Sequence, residues 1–217
     1  MTGIIAPSIL SADFKCLEKQ LKEIEHAGAR RIHIDVMDGV FVPNLSIGFP
    51  VIKAIRSCTD MEFDVHLMIE NPERFIESAA LAGADFITVH QETCRHILRI
   101  ISQIKETGCK AGVALNPSTS LETLKYVIQY TDQILLMTVN PGFGGQQFIT
   151  GMMKKISDCK KLFRDMGYSP LLELNGGITT ENALECIQNG ADILVAGSSV
   201  FQGNIKDNIK QFQQIFI

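Results

Sequence analysis

The amino-acid sequence predicts an α/β fold, a single (β/α)8 barrel of the TIM type with eight parallel strands. Eight short β-branched or apolar runs alternate with stretches of helical periodicity along the 217 residues. Strict alternation of this kind indicates a parallel sheet covered by helices. Each unit has about 27 residues, close to the roughly 31 of a typical 250-residue barrel. No Pro/Ser-rich linker interrupts the chain, so residues 1–217 are predicted to form one barrel domain.

The predicted elements follow one another with clear boundaries. The strands are predicted at 4–8, 31–36, 62–68, 85–90, 111–116, 133–139, 171–175 and 192–197. Helices are predicted between and after them at 14–27, 50–57, 72–82, 94–106, 121–130, 152–166, 180–188 and 208–216. Glycines in the position typical of a helix C-terminus follow four of the helices, namely Gly28, Gly83, Gly108 and Gly190.

Two local features complete this prediction. Thr180 is a candidate cap for a helix that begins at Glu181. A doubly wound open sheet is the competing architecture, but it should carry a G-x-G-x-x-G motif after the first strand. The first strand here is followed by Ser8-Ile9-Leu10-Ser11, which favours the barrel.

The composition excludes several classes of partner. The net charge of −4 gives no basic footprint for nucleic acid or for an anionic membrane. The six cysteines are scattered without a C-x-x-C pair, which suits a reducing compartment. The N-terminal segment lacks the pattern of a signal peptide, and the apolar runs are too short to span a bilayer. We therefore expect a cytoplasmic protein with no nucleic-acid or membrane partner.

Polar residues at the ends of two predicted strands suggest a metal site. His33 and Asp35 share one face of the second strand, because side chains two apart point the same way; Asp64 and His66 share a face of the third. Active sites of α/β barrels lie at these strand ends. Buried polar groups need partners, and a divalent cation would supply one. The alternative is that both histidines are core residues bonded to backbone carbonyls, which two His/acid pairs disfavour.

Glycine-rich loops after the last three strands suggest a phosphate site. Glycines allow backbone N–H groups to approach an anion, and loops after strands seven and eight recur as phosphate sites in barrels. Each loop alone would be explained as a turn. The loops contain Gly142-Phe143-Gly144-Gly145, Asn175-Gly176-Gly177 and Gly197-Ser198.

Other histidines and methionines have less specific interpretations. Met37, Met68 and Met137 lie at strand ends and either fill core space or form an apolar lid that excludes water. His90 is interpreted as structural, and His26 and His96 fall on predicted helices.

These blocks also carry a family resemblance over essentially the whole chain. The segments APSILSADF, HIDVMDGVFVPNLSIG, DVHLMIENPE, GVALNPSTSLE, MTVNPGFGGQQF and NGGI…GADILVAGSSVF resemble ribulose-phosphate 3-epimerases. The resemblance implies a metal-dependent isomerase of the pentose phosphate pathway that epimerises D-ribulose 5-phosphate at C3 to D-xylulose 5-phosphate. In that family a metal polarises the C2 carbonyl, and two aspartates on opposite faces of C3 exchange its proton through an enediolate.

The resemblance also assigns roles to individual residues. It implies one divalent metal ion, for which zinc, iron(II), manganese and cobalt all suit the ligands. The implied ligands are His33, Asp35, His66 and the residue at position 175, and Asp35 is also an acid/base. The implied substrate contacts are Ser8, His66, Gly142, Phe143, Gly144, Gly145, Asn175, Gly176, Gly177, Gly197 and Ser198. A homo-oligomer is expected, because barrels of this kind commonly associate.

One position departs from the family pattern. Asn175 stands where the family has the second acid/base Asp before Gly-Gly. An amide oxygen still ligates a metal, but the amide has no proton that titrates near neutral pH. We therefore predict a severely impaired epimerase that retains substrate and metal affinity. An engineered inactivating change, a natural binding-only relative and a sequence error would each account for Asn175, and the intact remaining motifs favour the first.

Three alternative functions follow from the sequence. An epimerase of a related ketose phosphate, such as D-allulose 6-phosphate, would use the same reacting atoms. A catalytically silent sugar-phosphate-binding protein is supported only by Asn175. A metal-independent decarboxylase or aldolase on a similar barrel is disfavoured by the paired histidines.

Overall fold

The computed structural model describes residues 3–216, in which eight parallel strands form one sheet. The strands are β1 (Ile4–Pro7), β2 (Arg31–Met37), β3 (Glu62–Met68), β4 (Phe86–His90), β5 (Lys110–Leu115), β6 (Gln133–Met137), β7 (Leu171–Asn175) and β8 (Ile193–Ala196). Their order in the sheet is β1-β8-β7-β6-β5-β4-β3-β2, so each strand neighbours its successor in the chain. The predicted barrel fold is confirmed.

The two ends of the sheet meet between β1 and β2. Seven of the eight strand junctions are continuous parallel ladders. The eighth is a single parallel bridge between Ser8 and His33. The barrel is therefore nearly closed, and its seam passes through two residues that the sequence placed in the candidate site.

Helices cover the outside of the barrel. They are α1 (Leu17–His26), α2 (Phe49–Arg56), α3 (Ile76–Leu81), α4 (Ile97–Glu106), α5 (Met152–Met166), α6 (Thr180–Gln188), α7 (Ser198–Phe201) and α8 (Ile205–Ile215). The helix-ending glycines Gly28, Gly83, Gly108 and Gly190 have φ values of 98°, 105°, 88° and 111°. This left-handed backbone is the conformation that favours glycine at a helix end. No helix within residues 3–216 has the length and apolarity needed to cross a membrane.

Two predicted features of the helices are wrong in detail. The segment 121–130 is not an α-helix but two 3₁₀ turns, Leu121–Leu124 and Ile128–Tyr130. Only i→i+3 bonds such as Val127 N to Leu124 O form here in place of the α-helical ladder. The cap of α6 is Thr179 rather than Thr180, in a capping box with Asn182.

Strand alternation places polar side chains inside the barrel. In β2, Ile32 and Ile34 belong to the main apolar core, which packs against the helices. His33 and Asp35 point the other way, because both contact Asn175 of β7 across the interior. Parallel register pairs His33 with Asp64 and Asp35 with His66. The sequence periodicity therefore brings the polar ends of β2 and β3 side by side.

A hydrogen-bonded network fills the interior below these histidines. The Gln133 amide accepts from Arg31 Nη1 at 2.9 Å and donates to Asp64 Oδ2 at 3.1 Å and to Glu173 Oε2 at 2.5 Å. All four side chains are buried. Buried charges need such partners, since an unpaired one costs several kcal/mol. On the side of β2, β3 and β7 the barrel interior is therefore polar from Arg31 to the candidate site, whereas Leu135 and Val195 belong to small apolar clusters.

We predict that Gly112→Ala destabilises the barrel by about 1–3 kcal/mol, the usual cost of overpacking a core. A Cβ at this position would collide with the side chain of Thr88, its register partner on β4. The free energy of unfolding in urea measures the effect. Gly151→Ala is the control, because this residue has φ −60° and open space around it, and it should change stability by less than about 0.5 kcal/mol. Equal stability of the two variants would contradict the packing argument.

Candidate active site

A cavity of about 410 Å³ opens at the carboxyl ends of the strands. Its walls come from the ends of β1, β2, β3 and β6 to β8 and from the loops that follow them. The sequence-predicted residues along its lining are Ser8, Asp35, Met37, Met68, Met137, Gly142, Phe143, Gly144, Gly145, Asn175, Gly176, Gly177, Gly197 and Ser198. His33 and His66 lie beneath it and are fully buried. The structure therefore brings all the predicted site residues to one region.

Three candidate ligand atoms converge at the floor of the cavity. His33 Nε2 lies 3.3 Å from His66 Nδ1 and 3.2 Å from Asp35 Oδ1. His66 Nδ1 lies 3.2 Å from the same carboxylate oxygen. The three atoms therefore form a nearly equilateral triangle.

This triangle has the dimensions of one face of a cation's coordination shell. Ligands 2.0–2.1 Å from a tetrahedral zinc ion are separated by about 3.3 Å from one another. His33, Asp35 and His66 form a group able to hold a metal ion. Imidazole and carboxylate together suit zinc, iron, manganese and cobalt. The residues present therefore fit a divalent metal.

Asn175 lies above the centre of this triangle. Its Nδ2 is 3.0 Å from His33 Nε2, 3.1 Å from Asp35 Oδ1 and 3.4 Å from His66 Nδ1. The amide N–H donates to Asp35 Oδ1, and the two imidazole nitrogens accept from it only where they carry a lone pair. A turn of the carboxamide about its terminal bond would present the oxygen instead, which is the atom that ligates metals.

The charges around the site differ between the two histidines. Burial alone would lower the pKa of His33, but the nearby Asp35 and Glu173 raise it well above its usual value. Burial opposes ionisation of Asp35, yet the charge of His33 and its hydrogen bond hold the pKa of Asp35 well below the usual range. Asp35 is therefore ionised at neutral pH, as a general base must be. Burial is the main cause that lowers the pKa of His66 to about 4, which leaves this imidazole neutral.

Two carboxylates support His33 from below. Its Nδ1 lies 3.4 Å from Asp64 Oδ2 and 3.4 Å from Glu173 Oε1. Burial and the charge of Asp64 raise the pKa of Glu173 to about 8. Sequence reasoning missed Glu173, although its place two residues before Asn175 on β7 put both on the same face.

A further chain of contacts leads away from His66. Its Nε2 lies 2.9 Å from His90 Nε2, and His90 Nδ1 lies 3.0 Å from Glu92 Oε2. His90, which the sequence indicated as a structural residue, therefore touches a candidate ligand. Sequence reasoning missed Glu92, because it lies in a short 3₁₀ turn beyond the strand, where no periodicity gives its direction.

The opposite wall of the cavity is made of backbone-rich loops. Gly176 and Gly177 have φ values of 122° and 66°, which disfavour other residues. A Cβ at Gly177 would collide with the backbone of Phe148, and one at Gly197 would lie 2.5 Å from Ser11 Oγ. The loops after β6, β7 and β8 therefore approach one another more closely than side chains would allow.

Ser8 and the methionines complete the cavity. Ser8 Oγ donates to Asp35 Oδ2 at 2.5 Å and orients that carboxylate. Met37 and Met68 pack together with Val42, whereas Met137 packs with Val139 on the other side. The floor of the cavity is thus polar, and its rim next to the floor is apolar.

A parallel barrel with a histidine–carboxylate cluster at the carboxyl ends of its strands belongs to the class of barrel enzymes. Comparison with known proteins specifies the family. The sequence profile of the Ribulose-phosphate 3 epimerase family matches residues 4–201, and the chain belongs to this family of isomerases. The resemblance noted in the sequence is confirmed.

Individual relatives support the same assignment. The chain is 52% identical over 198 residues to "Ribulose-phosphate 3-epimerase" of Bacillus subtilis (strain 168), covering 91% of both proteins. It is 50% identical over 200 residues to "Ribulose-5-phosphate-3-epimerase, chloroplastic" of Arabidopsis thaliana, covering 91% of this chain and 71% of the relative. A Chlamydia trachomatis ribulose-phosphate 3-epimerase is 44% identical over 99% of this chain and 91% of its own.

Solved structures support the fold. A mutant tryptophan synthase α-subunit from Pyrococcus furiosus has a TM-score of 0.74 at 15% identity, covering 98% of each chain. A structure titled KGPDC from Streptococcus mutans has a TM-score of 0.74 at 12% identity, covering 100% of this chain and 98% of its own. At such low identity the likeness concerns the barrel alone.

We predict that the metal-free protein gains stability with Zn²⁺ or Co²⁺ and binds about one ion per chain. Ligand at a hundred times its Kd stabilises the folded state by about 2.7 kcal/mol. His33→Gln should abolish most of this gain, because it removes Nε2 from the triangle of ligand atoms. The metal-induced change in Tm measures the effect. His96→Gln, at an exposed histidine before α4, is the control and should keep the full gain. The same gain in both variants would contradict the assignment of His33 as a ligand.

Proposed function

We propose that the chain is a metal-dependent epimerase that converts D-ribulose 5-phosphate to D-xylulose 5-phosphate at C3. One observation carries this proposal: the carboxyl group of Asp35 lies within a cluster of candidate metal ligands at the floor of a cavity. The names of relatives that are 43–52% identical to this chain support the substrate. A carboxylate base beside a cation suits the removal of a proton next to a ketone.

The proposed ligands are His33 Nε2, Asp35 Oδ1, His66 Nδ1 and the carboxamide oxygen of Asn175. A divalent cation held there would stabilise the negative charge that develops on the C2 oxygen during proton removal. The histidines and carboxylate would hold it through atoms that already lie 3.2–3.3 Å apart. Ser8 would keep Asp35 oriented toward C3 through its 2.5 Å hydrogen bond.

The phosphate would bind at the glycine-rich wall. Backbone N–H groups of Gly142 to Gly145, Gly176, Gly177 and Gly197 would approach its oxygens, together with Ser198. Phe143, His66 and Ser8 would contact the sugar between the two ends of the site. Met37, Met68 and Met137 would exclude water from the reacting atoms.

In this chain, proton transfer would take place on only one face of C3, the face next to Asp35. Inversion at C3 needs one group to remove the proton and another to deliver a proton from the opposite face. Asp35 is able to do the first, but Asn175 has no titratable proton for the second. We infer that the chain binds substrate and exchanges the C3 proton at the Asp35 face, with slow inversion. The catalytically silent binding protein is the alternative, and absence of exchange in deuterated water would favour it.

The remaining proposals concern the whole protein. Residues 1–217 would act as one catalytic barrel domain within a homo-oligomer. The reaction would serve the pentose phosphate pathway in the cytoplasm, in keeping with the sequence expectations. The ratio of kcat/KM for D-ribulose 5-phosphate and D-allulose 6-phosphate would decide between the pentose and the hexose substrate.

We predict that Asn175→Asp raises kcat for epimerisation by about 10²–10⁴-fold, the usual contribution of a positioned acid/base. Metal affinity should change by less than about tenfold, because the ligand oxygen is kept. A coupled assay for D-xylulose 5-phosphate measures the rate. Equal rates for both proteins would show that position 175 does not carry a proton.

The chain provides a matched control for this experiment. Asn189-Gly190 is a second Asn-Gly dipeptide, at the C-terminal end of α6 and outside the cavity. Asn189→Asp makes the same charge change and should leave the rate unaltered. Mass spectrometry of both dipeptides should accompany the assay, because deamidation would convert Asn175 to Asp and mimic the variant.

We predict that Ser198→Asp weakens binding of inorganic phosphate by tenfold or more, which corresponds to about 1.4 kcal/mol. The new carboxylate would repel an anion at the loop between β8 and α7. Isothermal titration measures the affinity. Gln211→Glu, an exposed change on α8 with the same effect on net charge, should bind phosphate normally. Unchanged affinity in Ser198→Asp would contradict the position proposed for the phosphate.

A further inference from the structure

Behind His66, a chain of side chains runs to the edge of the barrel. His66 Nε2 is 2.9 Å from His90 Nε2, and His90 Nδ1 is 3.0 Å from Glu92 Oε2. Both imidazoles are fully buried, so these contacts replace solvent as their hydrogen-bond partners. The ring of Phe41 packs against His90 with centroids 4.7 Å apart and limits its rotation. The route from Glu92 to the candidate ligand therefore has one well-defined geometry.

The direction of these hydrogen bonds follows from Glu92, the carboxylate at the end of the chain of side chains. A neutral imidazole has one N–H and one lone pair, and an ionised carboxylate only accepts. Hydrogen bonds from His90, Thr119 and the Asn116 backbone outweigh burial and lower the pKa of Glu92 to about 2, so it is ionised at neutral pH. With one proton on its ring, His90 then donates from Nδ1 to Glu92 and accepts at Nε2. A neutral His66 that meets this acceptor donates from Nε2, which leaves the lone pair on Nδ1, the atom 3.2 Å from Asp35 Oδ1 and 3.3 Å from His33 Nε2.

The two carboxylate oxygens of Glu92 have different hydrogen-bond partners. Oε1 accepts from the backbone N–H of Asn116 at 2.7 Å and from the hydroxyl of Thr119. The same loop is fixed from the other side by Lys155, whose Nζ donates to the carbonyls of Asn116, Pro117 and Thr119 at 2.8, 3.0 and 2.6 Å. Oε2 is left for His90. The carboxylate is thus a built part of the site and not a loosely placed surface group.

We propose that Glu92 is a positioning residue that, through His90, selects the tautomer of His66 able to bind a divalent cation at Nδ1. This inference rests on the metal in the proposed function and adds two residues that act on its affinity. Partners that orient a metal-binding imidazole are worth about 10–100-fold in metal affinity. The effect of Glu92 is exerted over two imidazole rings without contact to metal or substrate.

Glu92→Gln tests the proposal with almost no change in shape. The backbone N–H of Asn116 needs an acceptor, so the amide oxygen of Gln should take the place of Oε1. The NH₂ group then faces His90 Nδ1, where a donor already lies. His90 would have to move its proton to Nε2, and His66 would have to accept there and carry its proton on Nδ1. The lone pair for the cation would be lost.

We expect Zn²⁺ or Co²⁺ alone to bind Glu92→Gln about 10–100-fold more weakly than the unaltered protein, measured by competition with a chelator. Thr119→Val is the matched control, because it removes one hydrogen bond to Oε1 and leaves the contact of Oε2 with His90. Its metal affinity should stay within about threefold, well below that range. Equal affinity of Glu92→Gln and the unaltered protein overturns the proposal.

The tautomers themselves provide a second test that needs no variant. ¹⁵N NMR of the metal-free protein should show His90 protonated at Nδ1 and His66 at Nε2. A His90 protonated at Nε2 overturns the proposal, even if Glu92→Gln fails to fold. An unaltered protein that binds no divalent metal would instead overturn the metal in the proposed function, and the NMR result would still decide the direction of the hydrogen bonds.

Discussion

The convergence of His33, Asp35 and His66 in the barrel interior is the constraint on which the rest of the structure depends. Ionised groups in such a position cost several kcal/mol each unless they are paired and hydrogen-bonded. Neighbouring elements supply partners: Ser8, directly after β1, bonds Asp35, and Asn175 of β7 contacts all three side chains. The cluster therefore dictates which polar residues the neighbouring strands carry.

The two imidazoles are supported in opposite ways. His33 lies against the carboxyl groups of Asp64 and Glu173, whereas His66 lies against a second imidazole and is neutral. The pKa of Glu173, about 8, means that this carboxyl retains its proton near neutral pH while Asp64 is ionised. The protonated Glu173 thus limits how much negative charge lies beneath the site.

The sequence predicted those features that depend on residues close together in the chain, such as the two-residue alternation of a strand. Alternation at two-residue intervals placed His33 beside Asp35, and Asp64 beside His66, on the inward faces of neighbouring strands. Glycines in the loops after β6, β7 and β8 marked the opposite wall of the cavity. The helix predicted at 121–130 was wrong because apolar spacing alone does not distinguish an α-helix from two 3₁₀ turns. Glu92 was missed because its direction is set by Asn116 and Thr119, which are distant in sequence.

The seam between β1 and β2 has a consequence for how the molecule is made. β1 forms its ladder with β8, the last strand to be synthesised, and meets β2 through one bridge only. During translation the ladder between β1 and β8 cannot form until β8 has left the ribosome. Ser8, and with it the orientation of Asp35, is therefore set late. Nascent or truncated chains that lack β8 would hold the histidines without the hydroxyl that orders their carboxylate.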